Sequence, residues 1–355
     1  MKIPHQIAFF NHKGGVAKTT SAFNIGWKLA ELGKRVMLVD CDPQCNLTGL
    51  VLEYSHEDEY PFQGHRDQPP RNIRDGLAPA FDARPVRLAP VQLQTVAARP
   101  GLFVLPGHVA FSENESTLSI AHELSSALTA FQNIPGSLRH LFNITGDAND
   151  IDYALIDMSP SLGAINQNIL CTSDSFLVPM APDFFSAMAL RSLSRVLPKW
   201  HAWSNKAGGQ PILLDADYPW PCLTPKYLGS IVQNYRRRAR GGGEARPTQA
   251  YQKWFDALSV AKRDHFVPAL KETGFLLDAE DYARAQAPLE KFLLEIPDFN
   301  SLIAVSQVVS KPVFALEQKD IRSSGVVFET QDKSIDDFNR AYSEGAQRII
   351  SLTNG

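Results

Sequence analysis

The chain has 355 residues, 44% of them hydrophobic, enough for a buried core in one large or two modest domains. Its 35 basic and 38 acidic side chains give a formal charge of −3, so any contact with a polyanion must come from a local patch rather than from the overall field. No apolar run approaches the ~18 residues of a membrane span, and Met1-Lys2-Ile3-Pro4 leads into the first strand without a signal-peptide core, which predicts a cytoplasmic protein. The four cysteines, Cys41, Cys45, Cys171 and Cys222, form no C-x-x-C pair and are expected as reduced thiols, and the nine histidines show no helical pairing that would suggest a histidine metal site.

Apolar Ile7 to Phe10 predict a short buried strand, followed by the turn Asn11-His12-Lys13-Gly14-Gly15-Val16-Ala17-Lys18-Thr19-Thr20. Ala22, Ile25, Gly26 and Leu29 then recur at helical spacing, with Gly33 as a stop, which predicts a helix from about Thr19 to Leu32. Arg35 to Asp40 reads as a strand emerging into Cys41-Asp42-Pro43-Gln44. Residues 53–100 change character around Pro69 and Pro70 and read as a surface insertion with a helix near Asn72 to Phe81. A strand at Leu102 to Pro106, a helical pattern across Ser112 to Phe131, a strand at Asp152 to Asp157, a helix near 164–171 and a strand at Ser175 to Met180 continue the alternation. The fold class expected is α/β: a doubly wound, mostly parallel sheet flanked by helices, which with the glycine turn after the first strand resembles the P-loop NTPase type. Beyond it, helices are expected at Phe184 to Trp203, Ala250 to Thr273 and Ser334 to Leu352, and strands at Tyr227 to Asn234 and Lys291 to Ile296. The whole chain, 1–355, reads as one domain with insertions at about 53–100 and 200–290.

The turn after the first strand carries the chemistry. Gly14 and Gly15 let the backbone curl, and the following helix N-terminus points N–H groups at an anion. Residues Lys13, Gly14, Gly15, Val16, Ala17, Lys18, Thr19 and Thr20 are therefore the candidate nucleotide cradle. Lys18 would neutralise the β and γ phosphates, and the Thr19 hydroxyl would complete Mg²⁺ coordination. Ala17 stands where glycine is commoner, and its methyl restricts the turn if that position needs positive φ. Lys13 is left without a role in its own site. Asp42, in a loop facing the γ phosphate, is the candidate for orienting the attacking water. Asp40 and Asp157, at strand ends, are candidates for supporting the metal's shell. Loops after later strands place Asn234, Pro297 and Asp298 as candidates for the adenine.

Lys13-Gly14-Gly15-x-x-Lys18-Thr19 resembles the deviant Walker A motif of the ParA/MinD family of partition and positioning ATPases. Asp40-x-Asp42-Pro43-Gln44 resembles that family's first switch, Asp157-x-x-Pro160-Ser161-Leu162-Gly163 its second, and Val178 to Leu190 the segment after its next strand. The resemblance covers residues 5–50 and 150–195 closely. It implies ATP and Mg²⁺ as cofactors, hydrolysis that is slow without a stimulating partner, and an ATP-gated homodimer in which Lys13 reaches the partner's nucleotide. The chain departs from some relatives: nothing before the first strand suggests an operator-reading extension, and the C-terminal segment lacks the cationic amphipathic face of a membrane-docking helix. No C-x-x-C is present to bridge an iron–sulfur cluster between subunits.

Five arginines in eleven residues, Arg236, Arg237, Arg238, Arg240 and Arg246, surround the glycine run Gly241 to Gly243 and are the candidate DNA contacts, with Lys262 and Arg263 as an extension. The expected function is then a ParA-like ATPase that binds DNA non-specifically, is stimulated by a ParB-like or other protein, and segregates or positions DNA or another cargo, in the cytoplasm and on the nucleoid. The alternative is a nucleotide-controlled protein-recruitment switch, regulatory or defensive, that does not bind DNA. A metabolic ligase of the same superfamily lacks a visible small-molecule site.

Overall fold

The computed structural model describes residues 2–53, 61–64, 68–124, 129–238, 246–321 and 325–354. Its centre is an eight-stranded sheet whose strands, in chain order, are β1 (His5–Phe9), β2 (Val36–Cys41), β3 (Gln94–Thr95), β4 (Leu102–Leu105), β5 (Tyr153–Met158), β6 (Ser175–Met180) and β7 (Lys226–Tyr235), then, after a two-residue pair β8 (Arg237–Arg238) and β9 (Arg246–Pro247) outside it, β10 (Leu294–Pro297). The spatial order is β10-β7-β6-β1-β5-β2-β4-β3, parallel throughout except for β3 against β4. Strands buried on both faces explain why the sequence shows continuous apolar runs instead of alternation.

Helices cover both faces. Phe9, Leu38 and Leu155 face a cluster shared with α1 (Lys18–Glu31), α2 (Asn46–Leu52) and, later in the chain, the long C-terminal helix. Ala8, Met37, Val39 and Ile156 face the other cluster, built with α3 (Ile73–Phe81), α4 (Asn114–Leu124), α5 (Ser137–Ala148), α6 (Ala164–Thr172) and α7 (Phe184–Gly208). The short α8 (Pro211–Leu214) leads back to β7. After it α9 (Gln249–Ala261), a π-helical turn (Lys262–Phe266) and α10 (Val267–Glu272) pack along α7, which corresponds to the single helix expected at Ala250 to Thr273. Then α11 (Ala279–Arg284), α12 (Leu302–Val308), α13 (Gln318–Ile321) and α14 (Gly325–Thr353) complete the first face. At Gly26 a side chain would lie 2.6 Å from Leu38 Cδ2, so α1 approaches the sheet more closely than any larger residue permits. That closeness fixes the helix N-terminus above the carboxyl ends of β1 and β5.

Several expectations are corrected. The helix expected over Ser112 to Phe131 is α4 alone, preceded by a 3₁₀ turn at Val109–Glu113; residues 125–128 lie outside the described residues, and Thr129–Phe131 is a separate 3₁₀ turn. Helix α5 was not anticipated; its sequence Ser-Leu-Arg-His-Leu-Phe-Asn-Ile-Thr-Gly-Asp-Ala has weak helix formers but buries Leu138, Leu141 and Phe142 against α3 and α6. The stretch 200–290 supplies β7, second from the sheet edge, so only its flanks decorate the sheet. All four cysteines are free, and Cys41, Cys45 and Cys171 are buried.

Candidate functional site

The carboxyl ends of β1, β2 and β5 bring the glycine turn 11–20 and three aspartates together. Gly15 (φ 71) and Ala17 (φ 58, ψ 41) both adopt the left-handed conformation, so the restriction foreseen at Ala17 is real: an alanine occupies a glycine-like backbone position just ahead of α1. Gln233 of β7 reaches the same point, its Nε2 donating to Ser21 Oγ and to Ala17 O (3.3 Å). Helix α1 begins at Lys18, one residue before the expected Thr19.

Lys18 is 7% exposed, and its Nζ donates to the carbonyls of Asn11 (3.0 Å) and Lys13 (3.3 Å) within the turn itself. Burial holds its pKa below the usual lysine range, opposed by the charges of Asp157 and Asp42. Thr19 Oγ1 donates to Asp157 Oδ2 at 2.6 Å, while Asp157 Oδ1 is buried with no partner among the described residues. Burial first, and the neighbouring Asp40 second, push the Asp157 carboxyl up to about 8 against the hydrogen bond from Thr19 and the charge of Lys18. Asp40 is the register partner of Asp157 across β2 and β5. Its Oδ2 accepts from Thr48 N (2.8 Å) and Thr48 Oγ1 (2.6 Å), and burial raises its carboxyl to about 6. Asp42 is nearly buried at the start of the following loop and accepts from Gln44 N at 3.0 Å. An orphaned buried carboxylate oxygen beside a threonine hydroxyl and a second buried aspartate is a set of hard oxygen donors, which fits a divalent cation of the Mg²⁺ type.

Lys13 parts company with Lys18. Its Nζ forms an ion pair with Asp183 and lies 3.2 Å from Ser186 Oγ, with the Phe185 ring 5.9 Å away. Asp183 also caps α7, accepting from Ser186 N at 2.8 Å. Phe185 beside this lysine is exposed, as are Phe184 and Met188 at the start of α7 and Leu162 in the loop after β5.

At the other end of the sheet, Pro297 and Asp298 line a cavity of about 550 Å³ together with Tyr235, Arg236, Arg237 and Asn300. Asn234, the last residue but one of β7, is in the left-handed conformation (φ 63) and is exposed. The cavity therefore gathers two of the three adenine candidates and two arginines assigned to DNA. Arg237 donates to Tyr235 Oη at 2.7 Å. Arg240 lies outside the described residues, and Arg238 and Arg246 are described only as backbone of the β8–β9 pair. Lys262 does not extend an arginine patch: it is 2% exposed, its Nζ donates to Lys291 O, and burial lowers its pKa to about 8. Arg263 is exposed and paired with Asp264. A cationic row that the sequence reading missed is Arg191, Arg195 and Lys199, exposed at four-residue intervals along α7 without an ion pair among the described residues. The i, i+4, i+8 spacing was the available signal.

Residues 4–207 match the family model described as AAA domain, AAA_31. The chain belongs to this ParA/MinD family of partition ATPases. It is 31% identical over 199 residues to the chromosome partitioning protein ParA of Caulobacter vibrioides, and 33% identical over 192 residues to the sporulation initiation inhibitor protein Soj of Bacillus subtilis. Each match covers 54% of this chain and 62% of the relative, so the chain spans less than two thirds of the length of these ParA and Soj proteins. Among solved structures the fold is similar to that of a Corynebacterium diphtheriae protein (TM-score 0.58, 24% identity, 86% of this chain and 97% of that one). It is also similar to pNOB8 ParA bound to nonspecific DNA (TM-score 0.53, 19% identity, 99% of both chains). The ParA/MinD match ends before β7, so the 550 Å³ cavity and the arginine segment lie beyond the matched residues.

Proposed function

We propose that this chain is a Mg²⁺-dependent ATPase that closes as a homodimer on ATP, binds DNA without sequence preference and releases it on hydrolysis, so segregating or positioning DNA or another cargo. The observation that carries the reading is the divergence of the two lysines of one glycine turn. Lys18 stays inside the turn over Asp157, whereas Lys13 is held at the Asp183 edge beside an exposed apolar surface, where a second subunit's nucleotide could take it up. Residues Lys13 to Thr20 are then the phosphate cradle, and Pro297, Asp298 and Asn234 the base end of the site.

Thr19, Asp40 and Asp157 would hold the cation, which when bound neutralises charge on the β and γ oxygens. Lys18 leaves its two carbonyl acceptors for the phosphates and offsets the charge that accumulates on them as the terminal phosphoryl leaves. Asp42 accepts a hydrogen bond from the attacking water and holds it in line. Little is asked of proton transfer in so loose a transition state, so orientation dominates, and turnover is slow until a partner, ParB-like or other, improves it. A cytoplasmic, nucleoid-associated site of action suits this cycle; no helix among the described residues is long and apolar enough to cross a membrane.

The cationic row Arg191, Arg195 and Lys199 supports DNA contact together with the arginine segment 236–246. The position of Arg236 and Arg237 at the cavity with Pro297 favours a second reading, in which those arginines serve the nucleotide and the dimer recruits a protein with no part for DNA. Asp42→Ala protein, trapped with ATP, separates the two in a binding assay with random-sequence duplex at 50 and 200 mM salt against an ADP control. ATP-dependent binding that weakens with salt is the expected result. Dimerisation with ATP but no retention of DNA at either salt refutes the partition reading in favour of protein recruitment.

A further inference from the structure

Glu115, on α4, sends its carboxylate across to a different helix. Its Oε1 accepts from Ala164 N and its Oε2 accepts from Ile165 N (3.2 Å), the first free N–H groups of α6. Helix α6 has no cap of its own, because its N-cap residue is Gly163. A side chain at Gly163 would collide with this carboxylate, its Cβ falling 2.8 Å from Glu115 Cδ. The glycine is thus the opening through which Glu115 reaches the positive end of α6.

The helix end held in this way also holds the loop before it. Asn166, in the first turn of α6, donates from Nδ2 to Ser159 O (2.8 Å) and Ser161 O (2.9 Å). Between those two residues stands Pro160, whose ring lies 3.9 Å from the position a Cβ on Gly14 would take, against the phosphate turn. The same loop begins immediately after Asp157 and Met158. One continuous set of hydrogen bonds therefore runs from Glu115 through the start of α6 and Asn166 to the 159–163 loop, whose Pro160 stands next to Gly14 of the cradle. A second tie, His122 Nε2 to Asn168 Nδ2 at 3.1 Å, keeps α4 registered on α6.

We propose that Glu115 is a positioning residue for hydrolysis: it fixes the 159–163 loop against the phosphate turn by capping α6 from α4. The inference rests on the ATPase reading above. Without the carboxylate, α6 keeps its packing through Ile165, Ile169 and Leu170, but its first turn and the attached loop are free to shift. A shift of that kind costs rate far more than nucleotide binding, because the phosphates are held mainly by the 13–20 turn.

The test is steady-state ATP hydrolysis, fluorescent-nucleotide affinity and amide hydrogen exchange on full-length wild type, Glu115→Ala, Glu115→Gln and Gly163→Ala. Expected are a roughly tenfold fall in kcat for Glu115→Ala with KM and nucleotide affinity within about twofold, faster exchange confined to 159–166, a smaller fall for Glu115→Gln, which keeps one acceptor oxygen, and a fall like that of Glu115→Ala for Gly163→Ala. If Glu115→Ala does not fold, Glu115→Gln and Gly163→Ala carry the same readouts. Hydrolysis within twofold of wild type in the variants, or a loss of affinity in step with kcat, overturns the inference. A wild type that binds ATP and never hydrolyses it removes the ATPase reading instead.

Discussion

Replacing Asp157 with asparagine tests the electrostatics of the site in the nucleotide-free protein. Asp157 is fully buried, and its carboxyl titrates near 8 in the fold against an ordinary 3.8. Between those values the folded chain keeps a proton that the unfolded chain has released, so this group makes stability fall as pH rises; the penalty is complete above about 8 and absent below about 4. From pH 6 to pH 8 the slope starts at ~1.4 kcal/mol per pH unit and halves as pH reaches the folded value, which amounts to about 2 kcal/mol. At ~2.1 cal/mol/K of unfolding entropy per residue, that corresponds to about 3 °C in Tm for a chain of this length. Asp157→Asn lacks the titration, so its Tm relative to wild type should climb by about 3 °C across that window when the two are melted in matched low-salt buffers without nucleotide or metal. Saturating ATP with Mg²⁺ should reverse the advantage, because the variant gives up an anionic oxygen ligand. Parallel Tm curves for the two proteins from pH 6 to 8 would refute the reasoning and mean that the charge of Lys18 outweighs burial.

Three other outcomes follow from the same coordinates. His122, stacked on Trp203 at 4.2 Å, is pushed down to about 3 by burial; its folded value is depressed, so stability is lost as pH falls below about 6.5, and His122→Gln should recover ~2 kcal/mol of unfolding free energy at pH 5 relative to pH 7 in urea titrations. A Cβ at Gly136 would lie 2.7 Å from the carbonyl oxygen of Pro219 and closer still to that of Tyr218, both backbone atoms that cannot rotate away, so Gly136→Ala should cost on the order of 3 kcal/mol in the same assay; a loss under 1 kcal/mol would mean that residues 216–220 lift off α5 freely. Asp183→Asn keeps a good N-cap for α7 but removes the ion pair that holds Lys13, and ATP-dependent dimerisation measured by sedimentation should tighten about three- to tenfold; weaker dimerisation would show that the pair helps the interface instead of competing with it.

The sequence by itself determined the fold class and the glycine turn ahead of α1. Strands buried on both faces write themselves as unbroken apolar runs, such as Val-Met-Leu-Val at β2, and a glycine turn between such a run and an amphipathic helix has few other uses. Asp40 and Asp157 were legible because each ends a strand, and strands of a parallel sheet deliver their carboxyl ends to one rim. Tertiary structure alone decided that Asp40 and Asp157 sit in register and share one burial penalty, that Lys13 pairs with Asp183 across 170 positions, and that Glu115 caps a helix 49 positions away. It also decided that Lys262, in a basic segment, is buried instead of solvated, and that α5 is a helix despite weak propensity. Periodicity records which face of a segment is buried. Which side chain from elsewhere meets that face depends on how the segments pack, and no local pattern carries that information.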